Sequence, residues 1–170
     1  MSTVKDDVFA RLDAMGIPFR AVEHAEVHTI EDCKVAEDLL GARMPKNLFL
    51  TPRNMSAFYL LIVRGEATFR TSDISKQAGS ARLSFASPEK LMEMMRTLPG
   101  ATSPMGLMFD AEHRIHLLVD DALKDEPELV FHPCVNTASL AMKTEDFFGR
   151  YLPALGYEPQ FVQIHDFKPE

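Results

Sequence analysis

Lys46-Asn47-Leu48-Phe49-Leu50-Thr51 and Ala57-Phe58-Tyr59-Leu60-Leu61-Ile62-Val63 are joined by the connector Thr51-Pro52-Arg53-Asn54-Met55-Ser56. The two flanking runs, residues 46–51 and 57–63, are apolar almost throughout and rich in strand formers. Proline, asparagine and serine between them supply turn chemistry, so the stretch predicts a hairpin. Strands apolar on both faces belong at the centre of a sheet covered on both sides.

Upstream, Val4, Val8, Leu12 and Met15 fall at spacings that make one helical stripe over residues 4–15, and Gly16 ends it. Ile17-Pro18 opens an extended segment. Thr29 ahead of Ile30-Glu31-Asp32 is an N-cap with acidic first-turn residues, and Gly41 suits the end of a helix reaching Leu40. Downstream, Ser72-Asp73 opens a short helix ending near Gly79, and residues 82–85 are extended. Ser87-Pro88-Glu89 starts a helix carrying Leu91, Met94, Met95 and Leu98 that stops at Pro99-Gly100. Residues 106–109 and 115–119 read as a second hairpin, residues 120–128 as an acidic loop with one helical turn, and residues 138–142 as a strand. Thr144-Glu145-Asp146 caps a helix that Gly156 closes, and residues 161–164 form a last strand. Hairpins mixed irregularly with helices predict a mixed α/β (α+β) layer rather than a doubly wound sheet.

At 170 residues the chain fits one domain with one core. It has no apolar run long enough to span a membrane and no apolar block at the N-terminus for a secretory signal. Cys33 and Cys134 match no metal or redox spacing and read as reduced thiols of a cytoplasmic protein. The net charge of −7 is unevenly spread. Residues 43–96 hold nine Lys/Arg against four Asp/Glu, a local balance of +5, and the remainder holds nine against twenty-one, or −12. Such a zone can hold a phosphate backbone, or it is one part of a solvated mixed surface.

Three stretches carry candidate chemistry. Lys46, at the leading edge of an apolar strand, can project an ammonium into a cleft toward a phosphate or oxyanion, or it is an edge lysine blocking strand pairing. Gly100-Ala101-Thr102-Ser103-Pro104-Met105-Gly106 can hold exposed peptide groups rigidly beside a ligand, or it is a helix-to-strand connector. In Phe131-His132-Pro133-Cys134-Val135-Asn136-Thr137, the histidine before proline is extended or in a turn. It can position water, shuttle a proton or donate to a substrate oxygen, or it is a locally bonded loop residue with Asn136 and Thr137 as turn residues. His24 and His28, four apart, and His113 and His116 lack a third ligand, which argues against zinc. The chain has no nucleophile elbow around Ser80 and no phosphate-cradling Gly-Lys-Ser/Thr loop. Cys134 is separated from His132 by a proline and reads as a passive thiol.

Taken together, Lys46-Asn47-Leu48-Phe49-Leu50, Arg82-Leu83-Ser84-Phe85-Ala86-Ser87-Pro88, Gly100-x-x-x-Pro104 and Phe131-His132-Pro133-x-x-Asn136-Thr137 resemble the YbaK/prolyl-tRNA-synthetase-associated editing domains. Within that family the likeness is strongest to the freestanding alanyl-tRNA(Pro) deacylases, known as ProXp-ala or PrdX. The resemblance implies a YbaK-like fold over residues 1–170 and a hydrolase that clears a wrong amino acid from tRNA by water attack on the ester, assisted by the terminal ribose hydroxyl. It implies catalytic roles for Lys46, which would anchor or polarise the terminal nucleotide and ester, Gly100, whose backbone would place the hydroxyl or water, and His132, which would orient the substrate. Asn47, Ile30, Pro104 and Asn136 would bind substrate. The implied partners are mischarged tRNA and prolyl-tRNA synthetase, with no cofactor and no metal. Cysteinyl, seryl or threonyl esters are alternative substrates, and a non-catalytic tRNA-binding module is the reading from another class.

Overall fold

The computed structural model describes residues 3–27 and 29–165, apart from the side chain of Ile30. The central hairpin forms as its apolar runs require. β2 (Lys46–Pro52) pairs antiparallel with β3 (Phe58–Val63), Lys46 opposite Val63 and Leu50 opposite Tyr59. Both strands lie inside a five-stranded sheet of order β4-β2-β3-β5-β8, with β4 (Leu83–Phe85), β5 (Ile115–Asp120) and β8 (Gln160–Val162). Phe58, Leu60 and Ile62 enter one core cluster, whereas Leu61 and Val63 enter another. Burial on both faces is the reason β3 shows no polar alternation.

A second sheet of three antiparallel strands has order β1-β7-β6, from β1 (Arg20–Glu23), β6 (Glu128–Phe131) and β7 (Ala138–Lys143). One parallel bridge, Arg43 to Leu129, links the approach to β2 with β6, and Val130 N donates to the Arg43 carbonyl at 2.9 Å.

The helices predicted after Thr29 and Ser87 begin at those caps, whereas the one predicted to open at Ser72-Asp73 begins at Thr71, behind Arg70, which makes no side-chain cap bond. In α1 (Val4–Ala14), Thr3 and Asp6 form reciprocal side-chain-to-backbone bonds of 3.1 Å, and Val8 and Leu12 are buried. In α2 (Ile30–Leu40), Thr29 and Asp32 repeat the arrangement, and Gly41 closes the helix at φ 65°. Each such cap is worth about 1 kcal/mol. α3 (Thr71–Ala78) and α4 (Pro88–Met95) follow. Among the described residues, no helix is long and apolar enough to cross a membrane.

Four expectations are corrected. α4 ends at Met95, because Arg96 turns left-handed at φ 55°, and Leu98 is 60% exposed outside the helix. Residues 106–109 are not a strand: Pro104–Phe109 is a 3-10 helix, and Ser103 Oγ accepts from Met105 N at 3.1 Å. There is accordingly no hairpin into β5, which pairs parallel with β3 and β8. Asp110 caps the entry to β5 by accepting from Arg114 N and Ile115 N at 3.1 and 3.0 Å. Thr144 is not an N-cap. Lys143 holds that position in front of α5 (Thr144–Asp146), and the buried Thr144 hydroxyl has no partner among the described residues. The helix then continues through a π-helical turn, Phe147–Tyr151, into α6 (Leu152–Leu155). β6 begins at Glu128, the last residue of the predicted acidic loop, runs through Leu129 and Val130, for which the sequence predicts no element, and completes the second sheet.

Candidate active site

The loop after β6 is fixed by its backbone. Cys134 adopts φ 63°, a left-handed conformation that costs a non-glycine residue roughly 1–2 kcal/mol, and turns the chain back toward β7. The segment after β1 runs alongside. His24 N donates to Thr137 O at 2.9 Å, Val27 N to Asn136 O at 3.1 Å, and the Asn136 side-chain amide to Val27 O at 3.2 Å. Asn136 thus ties loop to segment.

This stitching holds His132 with only 6% exposure. Its Nδ1 lies 3.1 Å from the Ala138 carbonyl and 3.4 Å from Ser139 Oγ. Ser139 Oγ lies 2.8 Å from His24 Nε2, and His24 Nδ1 lies 2.8 Å from the Ala25 carbonyl. Burial pushes His132 below its ordinary value; the bond to Ala138 opposes that, and the nearby His24 adds to it. A neutral imidazole at neutral pH follows.

Lys46 is half-buried, and its ammonium donates to the Ala67 carbonyl at 2.6 Å. Desolvation lowers its pKa, against the opposing charge of Glu66. It borders a cavity of about 170 Å³ with Cys33, Met44, Pro45, Gly65 and Glu66. A larger cavity, about 820 Å³, lies elsewhere, between Arg20, Lys143 and Phe161. Along β2 the side chains alternate, so Lys46, Leu48 and Leu50 share the face of Ala67, and Asn47 shares the opposite face with Phe49. Asn47 Oδ1 is buried without a partner among the described residues, and its amide nitrogen reaches Pro45 O at 3.4 Å.

The Arg43–Leu129 bridge sets the relation of amine to ring. The two segments run parallel from it, and three residues further on stand Lys46 and His132. They therefore leave the bridge in the same direction, Lys46 turning toward Ala67. Among the described residues no hydrogen bond joins Lys46, Gly100 and His132. Gly100 is exposed at φ 90°, with nothing within 4 Å of where a Cβ would stand, so its backbone is open to a ligand. Its loop follows Met95, whose carbonyl faces Cys134 Sγ at 3.9 Å, on the flank of the His132 loop. Pro104 is buried, and its carbonyl accepts from Tyr151 Oη at 2.8 Å, so it shapes the turn from inside. His28 and the Ile30 side chain lie outside the described residues. His113 and His116 each pack on a tyrosine, Tyr157 and Tyr59.

Sequence reasoning missed Ser139 and the part His24 plays. The available signal was Ser139 itself, the one hydroxyl in the apolar run 138–142, since a buried polar side chain requires a partner. Cys134 is buried, and its thiol is pushed up to about 12, which leaves it without thiolate character. Ser139 is fully buried. Neither can serve as a nucleophile, and the groups beside the histidine suit the orientation of water or substrate.

This is a mixed α/β scaffold, two sheets with flanking helices, and its fold is shared with a solved structure described as a candidate trans-editing enzyme for prolyl tRNA synthetase. That match has TM-score 0.74 at 19% identity and covers 98% of this chain and 99% of that one. The aminoacyl-tRNA editing domain model matches residues 24–149, and the chain belongs to that family. The kinship read from the four motifs holds, and the protein is an aminoacyl-tRNA deacylase, an ester hydrolase. A mouse prolyl-tRNA synthetase associated domain-containing protein 1 is 29% identical over 93% of this chain and 95% of its own length. The prolyl-tRNA editing protein ProX of Acetoanaerobium sticklandii is 29% identical over 84% of this chain and 87% of its own.

Proposed function

We propose that the protein is a trans-editing enzyme that hydrolyses alanyl-tRNA(Pro) by direct attack of water on the aminoacyl ester, assisted by the terminal ribose hydroxyl. The observation that carries the mechanism is the buried, neutral His132 with no usable thiol or hydroxyl beside it. An aminoacyl ester is already activated, so positioning and charge stabilisation suffice. Lys46 supplies a partly desolvated positive charge for the terminal phosphate or the developing oxyanion, and the 170 Å³ cavity beside it is below the size of typical whole-ligand pockets. The open backbone at Gly100 receives the ribose end, and Asn47, whose amide oxygen is buried, supports the Lys46 end of β2 from the opposite face. Asn136 and Pro104 act by holding the loops.

The prolyl assignment rests on the names of the relatives and on discrimination. A synthetase pocket rejects a smaller amino acid by only about 1–3 kcal/mol per methylene, so alanine passes and a second, smaller pocket must remove it. Prolyl-tRNA synthetase is then the partner whose errors the enzyme clears, in the cytoplasm. The test is hydrolysis of purified alanyl-, prolyl-, cysteinyl- and seryl-tRNA. Rapid loss of the alanyl ester with prolyl-tRNA(Pro) intact is expected. Faster loss of cysteinyl or seryl esters overturns the substrate, and tRNA binding without ester loss overturns the activity.

A further inference from the structure

With both rings neutral, the chain of contacts from Ala25 to His132 admits one direction of hydrogen bonding. A carbonyl oxygen only accepts, so His24 Nδ1, 2.8 Å from Ala25 O, carries a proton. In the neutral ring Nε2 is then an acceptor, and the Ser139 hydroxyl at 2.8 Å donates to it. By the same rule His132 Nδ1, facing Ala138 O at 3.1 Å, carries its own proton, with Ser139 Oγ as a second acceptor at 3.4 Å. His132 Nε2 is left unprotonated and without a partner among the described residues.

We propose that His24 and Ser139 are positioning residues for His132: His24 draws the Ser139 hydroxyl proton to itself, so that His132 keeps its proton on Nδ1 and presents Nε2 to the substrate as an acceptor. This rests on the proposed function and deepens it. An acceptor at Nε2 suits an O–H or N–H donor, namely the attacking water, the ribose hydroxyl or the ammonium of the aminoacyl group. It does not suit an oxyanion, which leaves oxyanion stabilisation to Lys46 and backbone N–H groups. Without the His24 acceptor, the Ser139 hydroxyl is free to rotate and donate to an unprotonated His132 Nδ1, in competition with the bond from Nδ1–H to Ala138 O, so the other tautomer becomes populated alongside the first. Ser139 alone is therefore harmful to the site, and the pair is neutral.

That asymmetry separates positioning from simple packing. The tautomer of His132 is read from its two ring-nitrogen shifts in ¹⁵N-labelled full-length protein at neutral pH, with no substrate required. The expected pattern is proton on Nδ1 in the wild type, a mixture in His24→Ala, and proton on Nδ1 again in Ser139→Ala and in the His24→Ala/Ser139→Ala double variant. His24→Leu, which fills the space without an acceptor, stands in if His24→Ala does not fold. In deacylation of alanyl-tRNA(Pro), His24→Ala lowers kcat about tenfold with KM unchanged, and the double variant recovers. A proton on Nε2 in the wild type, or a tautomer unchanged by loss of His24, overturns the proposal, as does additive loss in the double variant. If the wild type deacylates nothing, the functional reading fails while the nitrogen shifts still decide the relay.

Discussion

His132 and Lys46 leave the same parallel bridge in the same direction and are held in contrasting ways. His132 is nearly fully buried, in a loop tied by three hydrogen bonds to the segment after β1 and with its ring bonded on one edge. Lys46 has one bond, to a backbone carbonyl, and stands half-open beside a small cavity. A planar group whose protonation matters has to be fixed, because a rotated ring offers the wrong nitrogen. A compact charge on a flexible stem works over a range of positions and can exchange Ala67 for a phosphate or ester oxygen on substrate binding. Under the proposed function, one side of the site supplies orientation and the other supplies adjustable charge.

The strongest way to break this contrast is Lys46→Ala. Loss of the charge lowers single-turnover deacylation of alanyl-tRNA(Pro) by about 10²–10³-fold, with the thermal midpoint almost unmoved, and Lys46→Arg recovers part of the rate. His132→Ala should affect both readouts. Deacylation falls about tenfold to a hundredfold, and unfolding by urea shows about 1–2 kcal/mol less stability, because Ala138 O and Ser139 lose a buried partner. An equal stability loss at Lys46 would erase the distinction.

Salt probes the charged side alone. Of the basic residues in 43–96, Arg64 pairs with Asp120 at 2.8 Å, Lys90 with Glu93 at 3.1 Å and Arg96 with Asp7 at 3.5 Å. Arg43 and Lys46 lie at one end of β2, whereas Arg53 and Arg82 flank its other end, roughly 20 Å away by strand rise. Binding of tRNA should weaken severalfold between 50 and 200 mM salt, a shallow slope for the few phosphates such a divided zone can neutralise. The His24→Ala variant should show the same slope.

The smallest effect is on pH and stability. Burial holds His132 below its usual value near 6.5, so between the folded value and about 6.5 the unfolded chain binds more protons. The stability gained by keeping the ring neutral is fully present above about 6.5 and is lost as pH falls through the folded value. The thermal midpoint should decline on acidification from 6.5, and His132→Gln should flatten that limb.

What the chain discloses about itself follows the range of the interactions involved. The Thr29 cap, the Gly41 stop and the β2–β3 hairpin are specified by neighbours a few residues apart, and they form as read. Residues 106–109 look like strand because Leu107, Met108 and Phe109 are contiguous and apolar, yet short apolar runs do not distinguish strand from helix. Their conformation is set by a distant contact: a Cβ on Gly106 would stand 2.8 Å from the Met95 side chain, so only glycine allows α4 this close. β6 escaped notice because its partner, β7, lies across the Pro133 loop and its own start is acidic. In the candidate site, Lys46 and His132 stand out as candidates from their local sequence, and Asn47 only from the resemblance. The partnership of His24 with Ser139 could not be read, since 115 positions separate them.

Among the described residues, one isolated bridge joins the approach to β2 with β6 of the other sheet, and its rung is the bond from Val130 N to Arg43 O. That rung is a built-in gauge. Deuterium uptake at the one amide of Val130 reports whether the half of the molecule bearing the amine and the half bearing the ring breathe together or apart, and an enzyme whose chemistry depends on their registration should guard that proton longer once its nucleic acid is seated.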